Sequence, residues 1–310
     1  MPSLESLRAQ HPEIRPDFTI DQHWERYDSA QHGMWRTLFE LQAKILPGRA
    51  CSEFLGGLAK LKLVSDRIPD FGRLSDDLEK LTGWRVVAVP SLVPDEIFFD
   101  HLANRRFPAG QFIRRPDQLD YIEEPDVFHD VFGHVPMLAH SVFADYMQAY
   151  GKGGQRALSE FGALRNLARL YWYTVEFGLI AKPEGLRIYG SGIVSSRAES
   201  IYAVENPSPN RIGFDLERVM RTEYRINDFQ ESYFVINSFD ELFAETYKDF
   251  ATIYKRLESG STHKPGDILV TDRVLHARQR NGGGAGVGRV DLLVGPGGPG
   301  SVVDRRRAPR

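Results

Sequence analysis

Three side chains with metal-binding chemistry stand out: His129 and His134, five apart in FHDVFGHVP (128–136), and Glu176, inside LARLYWYTVEFGLI (167–180). Glu176 sits in a helical run that is apolar or aromatic on nearly every face, where a carboxylate is costly unless paired or bound to a metal. Arg169 lies seven residues back, too far for an i,i+4 ion pair, although a more distant arginine could serve. Two imidazoles and one carboxylate, in a chain whose single cysteine is Cys51, form a set that holds Fe(II) on one face and leaves its other positions open. Zinc accepts the same ligands.

On a continuous α-helix a five-residue step turns by about 140°, so the two histidines would face apart, unlike the i,i+4 pair of helical zinc proteases. The sequence therefore predicts a break. Gly133 reads as the residue just past a short helix ending at Phe132, and Pro136 biases Val135 away from helical angles. Such a break would turn both imidazoles toward one point. The competing reading has no metal: His129 is a hydrogen-bonded core histidine, His134 satisfies a helix end, and Glu176 is half of a buried ion pair.

The elements that must position these residues follow from periodicity. Helical patterns run from Asp21 to Pro47-Gly48, then over about 50–61, 73–81, 94–103, 139–150, 155–181, 195–204 and 238–258. Short strands are expected at Trp84–Val89, at Arg105–Arg114, at Arg187–Tyr189 and at Ser232–Ile236, with a surface loop over 115–126. The fold class is thus mainly α with a few short β-strands. The expected organisation is an N-terminal extension (1–19), one catalytic domain (20–260), a C-terminal segment (261–281) and a Gly-rich disordered tail (282–310).

Composition narrows the function classes. With 310 residues, 42% hydrophobic, the chain can bury a large core. A formal net charge of −3 offers no basic field for nucleic acid or an anionic membrane, which points to a small-molecule substrate. The lone cysteine suits a reducing compartment, and the absence of an apolar leader or of a run of about 20 apolar residues makes a cytoplasmic location the expectation.

FHDVFGHVPML (128–138), YWYTVEFGL (171–179) and YGSGIVSS (189–196) resemble the pterin-dependent aromatic amino acid hydroxylases, in one register over roughly residues 20–255. The resemblance implies a single-domain hydroxylase-like catalytic fold, with His129, His134 and Glu176 as ligands of Fe(II). It implies Arg114 as partner of an amino acid carboxylate, a role suited to a planar guanidinium. Gly192 and Ser195 would line the amino acid site, and Pro125, Trp172 and Phe177 would wall the substrate ring. Phe98, or its neighbour Phe99, would stack on the pterin and Asp130 would hold it; Tyr171 would stand close to the iron pocket and Glu199 behind it.

The cofactors so implied are Fe(II) and tetrahydrobiopterin or a related tetrahydropterin, with O2 as co-substrate and conversion of L-phenylalanine to L-tyrosine as the reaction. Tryptophan or tyrosine hydroxylation are sister activities; a zinc hydrolase on the same ligands and a non-enzymatic binding module are rivals from other classes. Longer animal members carry an N-terminal regulatory domain and a C-terminal tetramer helix, for which this sequence has no counterpart, so a monomer without allosteric activation is expected.

Overall fold

A computed structural model describes residues 12–119 and 124–276. The glycine-rich tail expected over 282–310 lies outside the described residues, as do 120–123 of the predicted loop.

The first long helix starts later than its apolar pattern suggests. His23 takes a left-handed conformation (φ 53°), a single 3-10 turn follows at Trp24–Arg26, and the helix proper is Ser29–Ile45. Its start is fixed by Asp28, whose carboxylate accepts from the Gln31 backbone N–H at 2.8 Å while the Gln31 side chain accepts from the Asp28 N–H at 2.9 Å. That reciprocal capping satisfies two N–H groups the helix itself cannot pair, and it outweighs the amphipathic pattern upstream. Asp70 caps helix Phe71–Thr82 by accepting from the Gly72 and Arg73 N–H groups, and Gly83 ends it at φ 75°, where a side chain would be strained.

Two sheets result. Strands β1 (Arg85–Val89) and β2 (Arg106–Gly110) pair in parallel, with helix Asp95–Ala103 as the crossover that a parallel pair requires. The second sheet has the order β4-β3-β6-β5-β7, from β3 (Leu179–Lys182), β4 (Gly185–Ile188), β5 (Asn210–Gly213), β6 (Ser232–Ile236) and β7 (Val274–His276). Strand β7 lies antiparallel to β5, and a buried ion pair joins Arg218 Nε to Asp272 Oδ1 at 2.9 Å. Residues beyond 260 are therefore packed onto the body through His276.

The helical pattern expected over 155–181 is divided. Gly162 (φ 61°) ends one segment, Leu164–Tyr171 forms the next, and the chain leaves helix at Phe177 to become β3. Gly178 is where the change happens: a Cβ there would fall 2.2 Å from the Thr174 carbonyl, and the Gly178 carbonyl accepts from the Tyr189 and Gly190 N–H groups. A buried strand and a buried helix both read as unbroken apolar sequence, which is why periodicity alone ran them together.

The core joins the first helix to the metal-ligand segment. Trp35 meets Phe128 edge-on at 5.3 Å, Phe39 and Phe54 meet Phe132 at 5.2 and 5.8 Å, and Phe128 stacks on Phe132 at 4.6 Å. Two phenylalanines four apart thus lock one face of the 128–134 segment into the core, leaving its histidines to point the other way.

Candidate metal centre

Phe128–His134 is a π-helix that continues without a break into Val135–Leu138. In a π-helix the hydrogen-bonded ring closes from i to i+5, so residues five apart come nearly one above the other, as residues four apart do in an α-helix. The predicted break is therefore replaced by a change of pitch. Gly133 is not a left-handed terminator; it is small because the Ser191 carbonyl lies 3.0 Å from where its Cβ would be. Pro136 sits where the π-helix passes into the α-helix Val135–Leu138. A second π-turn, Trp172–Glu176, closed by Phe177 N–H to Trp172 O at 2.8 Å, presents the carboxylate.

The three donors converge. His134 Nε2 stands 3.3 Å from Glu176 Oε1, His129 Nε2 stands 3.7 Å from Glu176 Oε2, and the two Nε2 atoms are 3.3 Å apart. Donors each about 2.1 Å from one ion, at tetrahedral or octahedral angles, would lie about 3.0–3.4 Å apart. All three residues are buried, and Glu176 Oε1 has no hydrogen-bond donor in the protein among the described residues. An N2O donor set with an unsatisfied buried oxygen fits a metal ion.

Two of the three donors are aimed by a serine. His129 Nδ1 lies 2.9 Å from Ser195 Oγ, and that hydroxyl already donates to the Ser191 carbonyl at 2.7 Å, so the imidazole N–H is on Nδ1 and the lone pair on Nε2 faces the centre. Ser191 Oγ donates to Glu176 Oε2 at 2.7 Å. Burial pushes His129 down to about 3, which keeps the ring neutral and ready to ligate. Burial raises the Glu176 carboxyl, but the adjoining His134 and the Ser191 hydroxyl outweigh it and hold the group below its usual range. Ser195→Ala should weaken metal affinity by about 10–100-fold with an unchanged circular dichroism spectrum, as read by chelator competition.

The remaining expected residues surround this centre. Phe98 meets Tyr171 edge-on at 5.8 Å, and Tyr171 lies against the His134 ring at 6.3 Å, whereas Phe99 turns to Tyr150 and Gly154. Of the two phenylalanines, Phe98 is the one on the site side. Asp130 accepts from the Gly110 N–H at 2.8 Å through Oδ2; its Oδ1 is buried without a partner among the described residues, and burial raises the carboxyl well above its usual range. Such an oxygen is available to a ligand's N–H or hydroxyl. Pro125 is buried beside Gly110.

On the other side, the Trp172 and Phe177 rings lie 4.7 Å apart, and Gly192 makes room for Phe177, whose Cζ would be 2.9 Å from any Cβ there. Arg114 is buried and its fork is engaged by Asp126, at 2.8 Å from Nε to Oδ2 and 2.9 Å from Nη2 to Oδ1. Asp126 also accepts from the His129 backbone N–H at 3.0 Å. This aspartate went unnoticed in the sequence, although an acid three residues before a helical ligand is a capping signal.

Glu199 lies behind the wall, accepting a short hydrogen bond from the Tyr233 hydroxyl, and burial pushes it up to about 8 from an ordinary 4.5. Because the folded chain holds this proton more tightly, the stability it contributes is full below about pH 4.5 and is lost as pH rises through about 8. Glu199→Gln, which cannot titrate, should flatten the fall in melting temperature between those values; an unchanged slope would show that Glu199 is ionised in the folded chain.

Comparison with known proteins settles the family. The model of the biopterin-dependent aromatic amino acid hydroxylases matches residues 8–260. The chain belongs to that family. Among its relatives, a protein named phenylalanine-4-hydroxylase from Caulobacter vibrioides is 65% identical over 264 residues, covering 85% of this hydroxylase and 90% of the relative. One of the same name from Chromobacterium violaceum is 56% identical over 266 residues, 86% and 89% of the two chains. The iron- and phenylalanine-bound crystal structure of phenylalanine hydroxylase from C. violaceum superposes with a TM-score of 0.82 at 53% identity, over 88% of this hydroxylase and 100% of that chain. Among the described residues no helix is long and apolar enough to cross a membrane.

Proposed function

We propose that this hydroxylase converts L-phenylalanine to L-tyrosine, using Fe(II) held by His129, His134 and Glu176, a tetrahydropterin such as tetrahydrobiopterin, and O2. The observation that carries the reading is the convergence of these three buried donors beside the Trp172–Phe177 pair, in a chain 65% identical to a protein named phenylalanine-4-hydroxylase. Iron and the pterin, when bound, supply the activation of O2 that no side chain can perform.

The protein's own contribution is position. Arg114 recognises the amino acid carboxylate: Asp126 takes two of its five N–H groups and the Leu119 carbonyl a third at 3.4 Å, and among the described residues the other two have no partner and can serve a ligand. Trp172, Phe177 and Pro125 hold the aromatic ring over the metal, and the close approach of Gly192 to Phe177 fixes how deep that ring can go. Phe98 offers an aromatic face, and Asp130 a hydrogen-bonding oxygen, to the pterin. Burial of the centre excludes water from the reacting groups.

The test is anaerobic reconstitution of the apoprotein with Fe(II), or with Zn(II) as control, followed by each aromatic amino acid, a tetrahydropterin and O2. Tyrosine from phenylalanine only with iron, pterin and oxygen together is the expected result. Preferential turnover of tryptophan or tyrosine would reassign the substrate, and oxygen-independent turnover with zinc would reassign the reaction class.

A further inference from the structure

The indole N–H of Trp172 is a donor with nothing to accept, so something in the buried wall must satisfy it. It donates to Gln230 Oε1 at 2.9 Å, and both residues are buried. The Gln230 amide cannot be turned around: its NH2 donates to the Arg225 carbonyl at 3.0 Å and to the Asp228 carbonyl at 3.4 Å, so its oxygen is the atom left for the indole. The same stretch touches Trp172 a second time, since Tyr224 stacks on the indole with centroids 4.3 Å apart and planes 14° from parallel.

The stretch between these contacts, 225–228, is exposed, but its ends are tied down. Tyr173 donates its hydroxyl to the Glu223 carbonyl at 2.7 Å, and Phe229 stacks on Tyr202 at 4.0 Å. One face and one edge of the Trp172 ring are thus set by a loop that contributes no side chain to the metal triad. We infer that Gln230, with Tyr224, is a positioning residue: by fixing the plane of Trp172 it sets the width of the slot that receives the substrate ring, and so the choice among aromatic amino acids. This rests on the proposed role of Trp172 in walling that ring.

Gln230→Leu keeps the bulk and removes the acceptor, leaving the indole N–H unpaired in a buried site, a loss on the order of tenfold in an equilibrium. The Michaelis constant for phenylalanine should rise by about that factor, with kcat changed less, iron affinity unchanged and the preference for phenylalanine over tryptophan reduced. Gln230→Glu, which retains an acceptor, should recover part of the loss. In a Trp172→Phe background, where no N–H exists, Gln230→Leu should add little, because the effect passes through the indole. Should Gln230→Leu fail to fold, Gln230→Met, which has similar length and replaces the amide oxygen with a weakly accepting thioether, carries the same comparison. Equal effects of Gln230→Leu with and without the indole, or an unchanged amino acid preference, would overturn the inference; a wild-type enzyme that forms no tyrosine would instead overturn the function beneath it.

Discussion

Replacing His134 or Glu176 by alanine should abolish iron binding and reduce tyrosine formation below detection, with the apoprotein still folded. The argument is one of burial and number. Each residue supplies one of only three donors, each is almost wholly inaccessible, and no other His, Cys, Asp or Glu among the described residues joins the cluster to substitute for it. The fold should tolerate the loss, because removing Glu176 removes a carboxylate whose burial is itself unfavourable, and Ser191 Oγ still has the Val175 carbonyl at 3.1 Å. The clearest readout is thermal: a metal that binds only the folded state stabilises it by about 2.7 kcal/mol at 100 times its dissociation constant, so the wild type should melt higher with Fe(II) and the variants should not respond. Variants that keep both the thermal shift and normal turnover would show that these donors do not hold the metal.

The ligand set was legible in the sequence because it rests on residue type: a carboxylate among LYWYTV and FGL, and two imidazoles in a phenylalanine-rich run, are each anomalous enough to demand a partner. The way the chain brings them together was not. A spacing of five conflicts with α-helical geometry, and the sequence offers Gly133 and Pro136 as the obvious remedy; the π-helix that resolves the conflict is stabilised by tertiary packing of Phe128 and Phe132 on Trp35, Phe39 and Phe54, which no local pattern records. Gly133, Gly178 and Gly190 follow the same lesson. Nothing in the local sequence marks them as points of close contact, yet each is small because another part of the chain passes close by, Glu176 O lying 2.4 Å from a Cβ at 190.

The partners of the site residues were the least visible. Ser191, Asp126 and Gln230 lie 15, 12 and 58 residues from the side chains they hold, and each is a common polar residue with an ordinary surface reading. Strand β5 escaped for a related reason: Asn210–Gly213 carries Asn and Gly, poor strand formers made acceptable by the fully paired position of β5 between β6 and β7.

Asp126→Asn should cost about 3–5 kcal/mol of stability and also weaken amino acid binding, the two effects having separable causes. Asp126 accepts four N–H groups, from the Arg114 backbone at 3.0 Å, from Arg114 Nε and Nη2, and from the His129 backbone. Burial alone would raise its carboxyl; the Arg114 guanidinium reverses that and holds it below the usual range. An asparagine turns an NH2 toward those donors and leaves a buried guanidinium without its counter-charge, which is the most damaging way to break such a pair. Deleting both charges, as Arg114→Met with Asp126→Leu, should return most of the lost stability, since an apolar pair of similar volume is often neutral relative to a buried ion pair. It should not return phenylalanine binding, because the guanidinium proposed to meet the substrate carboxylate is gone with the charge. Thermal melting and the Michaelis constant for phenylalanine, measured on the single and double variants, therefore separate scaffold from recognition. A double variant that regains stability and near-normal affinity together would remove Arg114 from the substrate site and leave it as a brace for His129.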